Sequence, residues 1–389
     1  MAATLSRRSF ARLVGAGFTM ATLPSVALPS SVGAATRRPL TGTRRLAVDV
    51  AAGPPGPLVR LNANENPYGP SPAALQAIRD AMPLACRYPD EQAEKLAADL
   101  GAHHALDAEH VLLGAGSSEV LRLAVAAAGS PTRRVVTADP TFEAVSVNAR
   151  NTGIEVVKVP LTADFRHDLQ RMLDAAKGAG LVYVCNPNNP TASITPVAEL
   201  RAFLAAVPKD TVVLVDEAYH HFASGAGYET VAPLVAELPN LLVARTFSKI
   251  YGMAGLRCGY GVAQPALLAR LHAQQAWDSA NLMALVAAGA SLADQAYVEA
   301  SRQRNLAVRE ECCAALRAHG LGVIPSQANF FMVDLGRDVK PVIAALRERG
   351  VEVGRLFPAL PTHLRVTVGT REEMQAFLAA FEAVMPKAA

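Results

Sequence analysis

Short apolar runs alternate with amphipathic stretches along most of the chain. The runs that we predict to be strands are Val135-Val136, Glu155–Val159, Leu181–Cys185, Val212–Val215, Leu241–Ala244 and Gly259–Val262. Helical periodicity occurs between or after these runs, at Val120–Ala128, Pro196–Val207 and Gln264–Trp277. Alternation of this kind is typical of an α/β domain with a mostly parallel sheet.

The pattern changes in the C-terminal part of the chain. A long helical region that includes Tyr297–His319 precedes a strand, a helix, a second strand and a second helix. These four elements are predicted at Asn329–Asp334, Val339–Gly350, Leu364–Val368 and Glu372–Met385. The change indicates a separate, smaller domain. We divide the body of the chain into an N-terminal arm with part of the small domain (58–90), a large domain (91–290) and a C-terminal small domain (291–389).

The N-terminal residues differ from the rest in composition. Ser6–Arg12 resembles a twin-arginine export motif, and a mildly apolar region and the small residues Val32–Ala35 follow it. This layout predicts a signal peptide over 1–35, a linker over 36–57, a periplasmic or otherwise exported protein, and the twin-arginine export machinery as a partner. An uncleaved membrane anchor and a chance arginine pair on a disordered tail are the alternatives.

Composition and charge exclude several classes of protein. The chain has 389 residues, of which 51% are hydrophobic and 18% charged, so it is not intrinsically disordered. Its 37 basic and 34 acidic residues give a net charge of +3, which is too small to indicate a nucleic-acid partner. Five cysteines without metal-ligand or paired spacing indicate ordinary buried thiols. A small-molecule enzyme is the expected class.

Polar residues follow four of the predicted strands, at the point where each strand ends. These segments are Asp139–Phe142, Asn186–Pro190, Asp216–Tyr219 and Thr246–Lys249. The carboxyl ends of parallel strands share one edge of a sheet, where ligands bind. We therefore expect the four segments to converge on one crevice.

Three features of this crevice suggest chemistry. The turn Gly114–Glu119 between a strand and a helix could bind a phosphate, although such turns often serve packing alone. Lys249 is a candidate Schiff-base nucleophile, and a solvated loop lysine is the alternative. Asp216 ends an apolar strand and requires a partner such as a protonated pyridine nitrogen, unless it caps a helix.

Six motifs in order carry a resemblance to a known family. They are Leu61–Pro70, Arg87–Asp90, Asn188–Thr191, Asp216–Tyr219, Ser248-Lys249 with Gly255–Gly259, and Leu364–Thr370. Together they resemble the fold-type-I pyridoxal-phosphate (PLP) aminotransferases, and among them the histidinol-phosphate aminotransferases. The resemblance extends from Leu58 to the C-terminus.

The resemblance implies a fold, a reaction and an assembly. The fold would be α/β, with a large, mostly parallel seven-stranded sheet domain sandwiched by helices and a smaller α+β domain. The enzyme would use PLP to move an amino group between an amino acid or amine and a 2-oxo acid. It would form a homodimer with shared active sites.

The resemblance also assigns a role to individual residues. Lys249 would hold the cofactor as a Schiff base and transfer the substrate α-proton, and Asp216 would keep the pyridine nitrogen protonated. Tyr219 and Asn189 would donate hydrogen bonds to the cofactor's phenolate oxygen. The phosphate would be bound by Ser117, Ser118, Ser248, Arg257 and, from the neighbouring subunit, Tyr88. The remaining assignments are stacking on the ring by Phe142, substrate-anion binding by Arg365, and closure of the site by Asn66.

Three positions depart from the family pattern. Ala192 replaces a glycine, Phe142 stands where a tyrosine is frequent, and the arginine of a Val-Arg pair is displaced by one residue to Arg355. Since a shift of one residue along a strand reverses the direction of a side chain, we expect Arg355 not to reach the substrate.

Two other functions remain open on the sequence alone. One is a different PLP-dependent reaction on the same fold, by a decarboxylase, lyase, racemase or oxidase. The other is a non-catalytic periplasmic binding protein, against which Lys249, Asp216 and Asn189 argue.

Overall fold

The structure, a computed structural model, describes residues 58–225 and 227–385. The predicted signal peptide (1–35) and linker (36–57) lie outside these residues. Among the helices that are described, none combines the length and the apolar character needed to cross a membrane.

The described part of the chain is built around a seven-stranded sheet, whose strands are β2 (Val111–Gly114), β3 (Val135–Asp139), β4 (Val156–Pro160), β5 (Leu181–Cys185), β6 (Val212–Asp216), β7 (Leu241–Thr246) and β8 (Gly259–Ala263). Their order in the sheet is β2-β8-β7-β6-β5-β3-β4. The strand β8 is antiparallel to both of its neighbours, and the other pairs are parallel. The prediction of a mostly parallel seven-stranded sheet is confirmed.

The middle strands are apolar throughout because both faces of the sheet are covered. Every residue of β5, β6 and β7 is buried, as expected for strands with helices on either side. Val213 and Val215 pack in one hydrophobic core, whereas Val212 and Leu214 pack in another. Alternate residues of one strand therefore belong to cores on opposite faces of the sheet.

The helices that surround and follow this sheet differ in places from the predictions. Only part of Gln264–Trp277 is helical, because Leu271 is the last buried apolar residue of that stretch and Trp277 is 85% exposed. The helices are α1 (Pro72–Ala81), α2 (Asp90–His103), α3 (Ser117–Ala128), α4 (Ala144–Asn151), α5 (Leu169–Ala176), α6 (Val197–Ala206), α7 (Pro265–His272), α8 (Leu282–Ala293), α9 (Gln295–Ala318), α10 (Val339–Glu348) and α11 (Arg371–Val384).

A separate hydrophobic core lies around two small sheets. One sheet has the antiparallel order β12-β10-β9, and the other pairs β1 with β11 in parallel. Their strands are β1 (Val59–Leu61), β9 (Gly322–Val323), β10 (Phe330–Asp334), β11 (Val351–Val353) and β12 (His363–Thr367). Leu61 packs in the core that the C-terminal elements form. The N-terminal arm thus packs against the C-terminal part of the chain.

The cysteines are free thiols, in agreement with their spacing. Cys185, Cys258, Cys312 and Cys313 are buried, but Cys86 is exposed. The prediction that all five are buried is therefore wrong for Cys86, which lies in a turn between α1 and α2.

Candidate active site

The predicted polar segments meet at the carboxyl edge of the central sheet. They surround a cavity of about 230 Å³. Its lining includes every predicted site residue except Tyr88 and Asn66. These lining residues are Ser117, Ser118, Phe142, Asn189, Asp216, Tyr219, Ser248, Lys249, Arg257 and Arg365.

Asp216 is a buried carboxylate at the end of β6, with a 2% exposed side chain. The hydroxyl of Tyr183 donates to its Oδ2 at 2.9 Å, and the backbone N–H of Ala218 donates to its Oδ1 at 3.1 Å. Burial raises the pKa of Asp216 to about 6. Among the described residues its hydrogen bonds come only from neutral donors, so the carboxylate can accept a cationic partner from the cavity.

Lys249 follows β7, and its ammonium lies within the cavity. Nζ donates to the carbonyl oxygen of Ala63 at 3.2 Å and lies 5.7 Å from the centre of the Tyr219 ring. Burial, reinforced by the positive charge of Arg365, lowers the pKa of Lys249 to about 8. A lysine of this kind has an appreciable fraction of neutral amine near neutral pH and can act as a nucleophile and a base.

Tyr219 connects three parts of the chain at its hydroxyl. Asn64 donates to this oxygen at 3.0 Å, and Asn189 donates at 3.4 Å. The ring packs edge-on against Phe330, with centroids 5.0 Å apart. Burial raises the pKa of Tyr219, so its hydroxyl stays protonated and can donate one hydrogen bond into the cavity.

The part of the cavity lined by Ser117 and Arg257 has the features of an anion site. The helix α3 begins at Ser117, after Gly116 with φ +82°, and helix N-termini favour negative charge. Arg257, with φ +62°, donates from Nη1 to Ser248 Oγ at 3.4 Å and to the carbonyl of Ala254 at 2.9 Å. A Cβ on Gly116 would clash with Nη2 of Arg257, so glycine allows the guanidinium to approach the backbone at this point.

Arg365 lies on β12 and is 8% exposed. Its Nη1 donates to Asn189 Oδ1 at 2.8 Å, and its Nη2 donates to the carbonyl of Asn62 at 2.7 Å. Its Nε is buried without a hydrogen-bond partner among the described residues. A buried guanidinium whose Nε–H has no partner among the described residues is suited to binding an anion that enters the cavity.

Two predicted residues lie outside the cavity lining. The Nδ2 of Asn66 donates to the carbonyl of Ile250 at 2.8 Å, which connects the N-terminal arm to the residue after Lys249. Tyr88 is 70% exposed, in a segment between helices.

Several residues in or next to the cavity were given no individual role by the sequence. Asn64 and Ala63 lie inside the first motif, but only their contacts with Tyr219 and Lys249 reveal a role. Tyr183 is part of the apolar run of β5, so its hydrogen bond to Asp216 had no sequence signal. Thr246 ends β7, and its hydroxyl accepts from the N–H of Ser248 at 3.1 Å.

Ala192, which departs from the family pattern, adopts the left-handed conformation with φ +58° and is fully buried. Its N–H donates to the carbonyl of Asn188 at 2.7 Å. Alanine is disfavoured at this φ by roughly 1–2 kcal/mol, and the turn next to Asn189 retains this strain.

The residues fit a phosphorylated pyridine aldehyde such as PLP. The cavity has a phosphate-type anion site at Ser117 and Arg257, an amine at Lys249 and a carboxylate without a cationic hydrogen-bond partner at Asp216. These groups are the ones that bind the phosphate, the aldehyde carbon and the protonated ring nitrogen of that cofactor.

Comparisons with known proteins agree with this geometry. The family model for aminotransferase class I and II matches residues 57–381. The chain is 44% identical to a histidinol-phosphate aminotransferase from Symbiobacterium thermophilum, over 84% of this chain and 91% of that protein. A relative of the same name from Bacillus subtilis (strain 168) is 36% identical, with 83% and 90% covered. The crystal structure of histidinol-phosphate aminotransferase from Sinorhizobium meliloti in complex with pyridoxal-5'-phosphate matches with a TM-score of 0.79, 30% identity, and 84% and 90% coverage.

The prediction of a periplasmic or otherwise exported location is wrong. It depended on Ser6–Arg12, which lies outside the described residues, and the family match begins at residue 57. The matching histidinol-phosphate aminotransferases are biosynthetic enzymes of the cytoplasm. A paired arginine before a mildly apolar stretch is a short pattern, and such a pattern alone does not establish a signal peptide.

The collinear motifs, the residues of the cavity and the comparisons thus all support the same family, fold and cofactor. The chain belongs to the class I and II aminotransferases, and it is a PLP-dependent aminotransferase of fold type I.

Proposed function

We propose that this aminotransferase exchanges an amino group between histidinol phosphate, or an amino donor with a similar distal anion, and a 2-oxo acid. The observation that carries the proposal is the buried guanidinium of Arg365 in the same cavity as the amine of Lys249. Such an arrangement holds a substrate by an anionic group while its amino carbon faces the base. The names of the relatives support histidinol phosphate as the first donor to test.

Lys249 has two roles in this proposal. Bound PLP supplies an aldehyde and an electron-accepting ring. Nζ of Lys249 would hold the cofactor at its aldehyde carbon, and as a free amine it would take the proton from the substrate α-carbon. Its lowered pKa is suited to this second role, because a general base works best when its pKa lies near the operating pH.

Asp216, Tyr219 and Asn189 orient and polarise the cofactor. The carboxylate of Asp216 keeps a proton on the ring nitrogen, and the hydroxyl of Tyr183 and the N–H of Ala218 hold that carboxylate in place. Tyr219 and Asn189 donate hydrogen bonds to the phenolate oxygen, which favours its ionised form. Phe142, which lines the same cavity, would pack on the face of the ring.

The phosphate is bound by the N-terminus of α3 and by side chains around it. We assign Ser117, Ser118, Ser248 and Arg257 to this site, since all four line the same cavity. Tyr88 is assigned to the phosphate of a neighbouring subunit in a homodimer with shared sites. Its 70% exposure outside the cavity is consistent with that role. Asn66 closes the site through its hydrogen bond to Ile250.

The domain boundaries form part of the same proposal. Residues 58–90 make up the arm with part of the small domain, 91–290 the large cofactor-binding domain, and 291–389 the small domain. The separate hydrophobic core of Leu61 with the C-terminal elements supports this division.

Substitution of Gly116 by alanine is expected to weaken PLP binding roughly tenfold, or about 1.4 kcal/mol. The added Cβ would clash with Nη2 of Arg257 and displace its guanidinium. Titration of the apoenzyme with PLP measures this effect. Gly153→Ala is the matched control, because its φ is +73° and no atom lies within 4 Å of the added Cβ. Equal affinities of the two variants would show that only the backbone conformation matters.

The rate at which the apoenzyme binds PLP covalently is expected to rise with pH and to level off near pH 8. Only the neutral amine of Lys249 reacts, and burial lowers its pKa to about 8. Below that value the rate should rise about tenfold per pH unit. Stopped-flow absorbance over roughly pH 6 to pH 10 measures it, with a free lysine derivative as the reference for titration of the cofactor itself. A continued rise up to the ordinary lysine pKa would contradict the burial of Lys249.

The donor is tested directly with the holoenzyme. Histidinol phosphate should convert the cofactor to its amine form, and 2-oxoglutarate should convert it back. Histidinol, which lacks the phosphate, should react with a KM higher by roughly 10–100-fold, the value of one charge-assisted hydrogen bond. Equal KM values for the two donors would contradict the proposed donor class.

A further inference from the structure

Two side-chain contacts join two segments that contribute to the cofactor cavity. One segment, residues 216–222, begins at the end of β6 and contains Asp216 and Tyr219. The other, residues 245–251, begins at the end of β7 and contains Lys249. The contacts are made by four bridging residues that do not line the cavity, namely Glu217 and His221 of the first segment and Arg245 and Tyr251 of the second.

The pairing of the two strands does not extend over these segments. In the parallel alignment of β6 with β7, the last paired residues are Asp216 and Ala244. Tyr219 and Lys249 both follow this pair, so no paired position of the two strands holds them at a set distance. Buried hydrogen-bonded side chains can supply that restraint, because a fully satisfied polar network makes its surroundings rigid.

The first contact is an ion pair between Glu217 and Arg245, whose side chains are 2% and 3% exposed. Nε of Arg245 donates to Oε2 of Glu217 at 2.8 Å, and Nη2 donates to Oγ1 of Thr230 at 2.7 Å. The backbone N–H of Val231 donates to Oε1 of Glu217 at 2.8 Å. A buried ion pair adds little net stability, but it tolerates few other geometries when its hydrogen bonds are satisfied.

The histidines near Arg245 are neutral at neutral pH. Burial lowers the pKa of each, and the positive charge of Arg245 lowers it further. These histidines are His103, His104, His220 and His221. Neutral imidazoles do not balance a buried carboxylate, so Glu217 and Arg245 depend on each other for charge compensation.

The second contact is a hydrogen bond between two neutral groups. The hydroxyl of Tyr251 and Nε2 of His221 are 3.2 Å apart, and the two rings pack edge-on with centroids 5.1 Å apart. Burial raises the pKa of Tyr251, so its hydroxyl keeps the proton. Tyr251 closely follows Lys249 along the chain, and His221 closely follows Tyr219. This contact therefore connects the backbone near one site residue to the backbone near the other.

We propose that the four bridging residues are positioning residues for the reaction, which fix residues 216–222 against residues 245–251. The spacing of these segments sets how far Nζ of Lys249 lies from a cofactor held by Asp216 and Tyr219. A displacement of about 1 Å between reacting groups can slow a reaction roughly a hundredfold. The inference rests on the proposed roles of these three site residues, and it is independent of the identity of the amino donor.

Tyr251→Phe tests the second contact, because it removes one hydroxyl and keeps the ring. Apoenzyme and PLP are mixed in a stopped-flow instrument, and the dependence of the rate on PLP concentration separates non-covalent affinity from the rate of the covalent step. The covalent rate is expected to fall roughly tenfold, because Lys249 is displaced. The non-covalent affinity should stay within about twofold of wild type, because neither contact includes the phosphate site at Ser117 and Arg257.

Tyr228→Phe is the matched control. Its hydroxyl lies 3.1 Å from Nδ1 of His220 and donates weakly to the carbonyl of Asn186 at 3.5 Å, so this variant also removes a bond between a tyrosine and a histidine. Tyr228 lies outside residues 245–251, and its loss leaves the two segments joined. Both the affinity and the covalent rate should remain those of wild type.

The ion pair is tested by removing both charges together. Arg245→Met alone would leave Glu217 buried without its partner, which is strongly destabilising. In Glu217→Gln/Arg245→Met the amide oxygen can still accept from Val231, and no charge is left unpaired. The covalent step of this double variant should be roughly tenfold slower than that of wild type. Its kcat per PLP-loaded site should fall in proportion with KM unchanged, whereas a loss of stability alone would reduce only the fraction of loaded sites.

A folded variant that keeps the covalent rate within about twofold of wild type removes its contact from the positioning role, and the inference is overturned if both variants do so. Tyr251→Phe decides alone if the double variant does not fold. The inference is also overturned if Tyr228→Phe slows the covalent step as much as Tyr251→Phe, since any local loosening would then have the same effect. Wild-type rates of transamination in Lys249→Ala would instead count against the proposed function.

Discussion

Replacement of Lys249 by alanine is expected to lower kcat for both half-reactions by roughly 10⁴-fold, the upper range for loss of a positioned acid–base group. No other described amine lines the cavity, so nothing replaces Nζ as the proton carrier. The variant should still bind PLP through the phosphate site and Asp216, without the covalent bond. Single-turnover absorbance measurements with an amino donor test the expectation.

The control for this variant is Lys209→Ala, which removes an exposed lysine remote from the cavity lining. Added methylamine should restore part of the lost rate, because a small amine can enter the space left by the side chain. A Lys249→Ala enzyme that retains the wild-type rate in both half-reactions would remove Lys249 from the mechanism.

Replacement of Asp216 by asparagine is expected to lower kcat roughly 10²–10³-fold, as does loss of other preorganised charges in buried sites. The amide is nearly isosteric but cannot stabilise a protonated ring nitrogen, so the ring accepts electrons less well. The side chain is 2% exposed, and water cannot take over this role. Steady-state kcat and the affinity for PLP are the measurements.

Two further variants make the Asp216 result specific. Tyr183→Phe removes the hydrogen bond to Oδ2 but keeps the charge, so its kcat should fall much less than that of Asp216→Asn. Asp210→Asn removes a 74% exposed carboxylate on the surface and should have no effect on kcat. A rate for Asp216→Asn within about threefold of wild type would contradict electrostatic stabilisation of the ring nitrogen by this carboxylate.

The central sheet could be predicted from the sequence because strands that are buried on both faces appear as continuous apolar runs. The runs at Leu181–Cys185 and Val212–Val215 are almost the whole of β5 and β6. Shorter strands have no such apolar run in the sequence. The three-residue strands β1 and β11 pair across nearly the whole described chain, and no local pattern identifies that partner.

The candidate site was identified from side chains that follow strands, and its supporting contacts were not. Lys249 and Asp216 stand at strand ends, where parallel topology brings them together. Tyr183 and Asn64 act through hydrogen bonds that depend on side-chain packing between distant segments. Arg355 follows the end of β11 at Val353, so the reversal of side-chain direction expected along a strand does not apply to it.

The location of the protein was the prediction that failed. It used the residues before the family match, where the signals were a paired arginine, a mildly apolar region and a few small residues. Motifs inside the fold were reliable because six of them occur in a fixed order along the chain, and five of the six contribute residues to one cavity.

Transamination itself is tested by following one turnover of purified holoenzyme with an amino donor and without acceptor. We expect conversion of the cofactor to its amine form, release of one carbonyl product per site, and full recovery of the original spectrum when a 2-oxo acid is added. Release of carbon dioxide or ammonia, with no spectrum that a 2-oxo acid can restore, would contradict transamination and identify a different reaction on this fold.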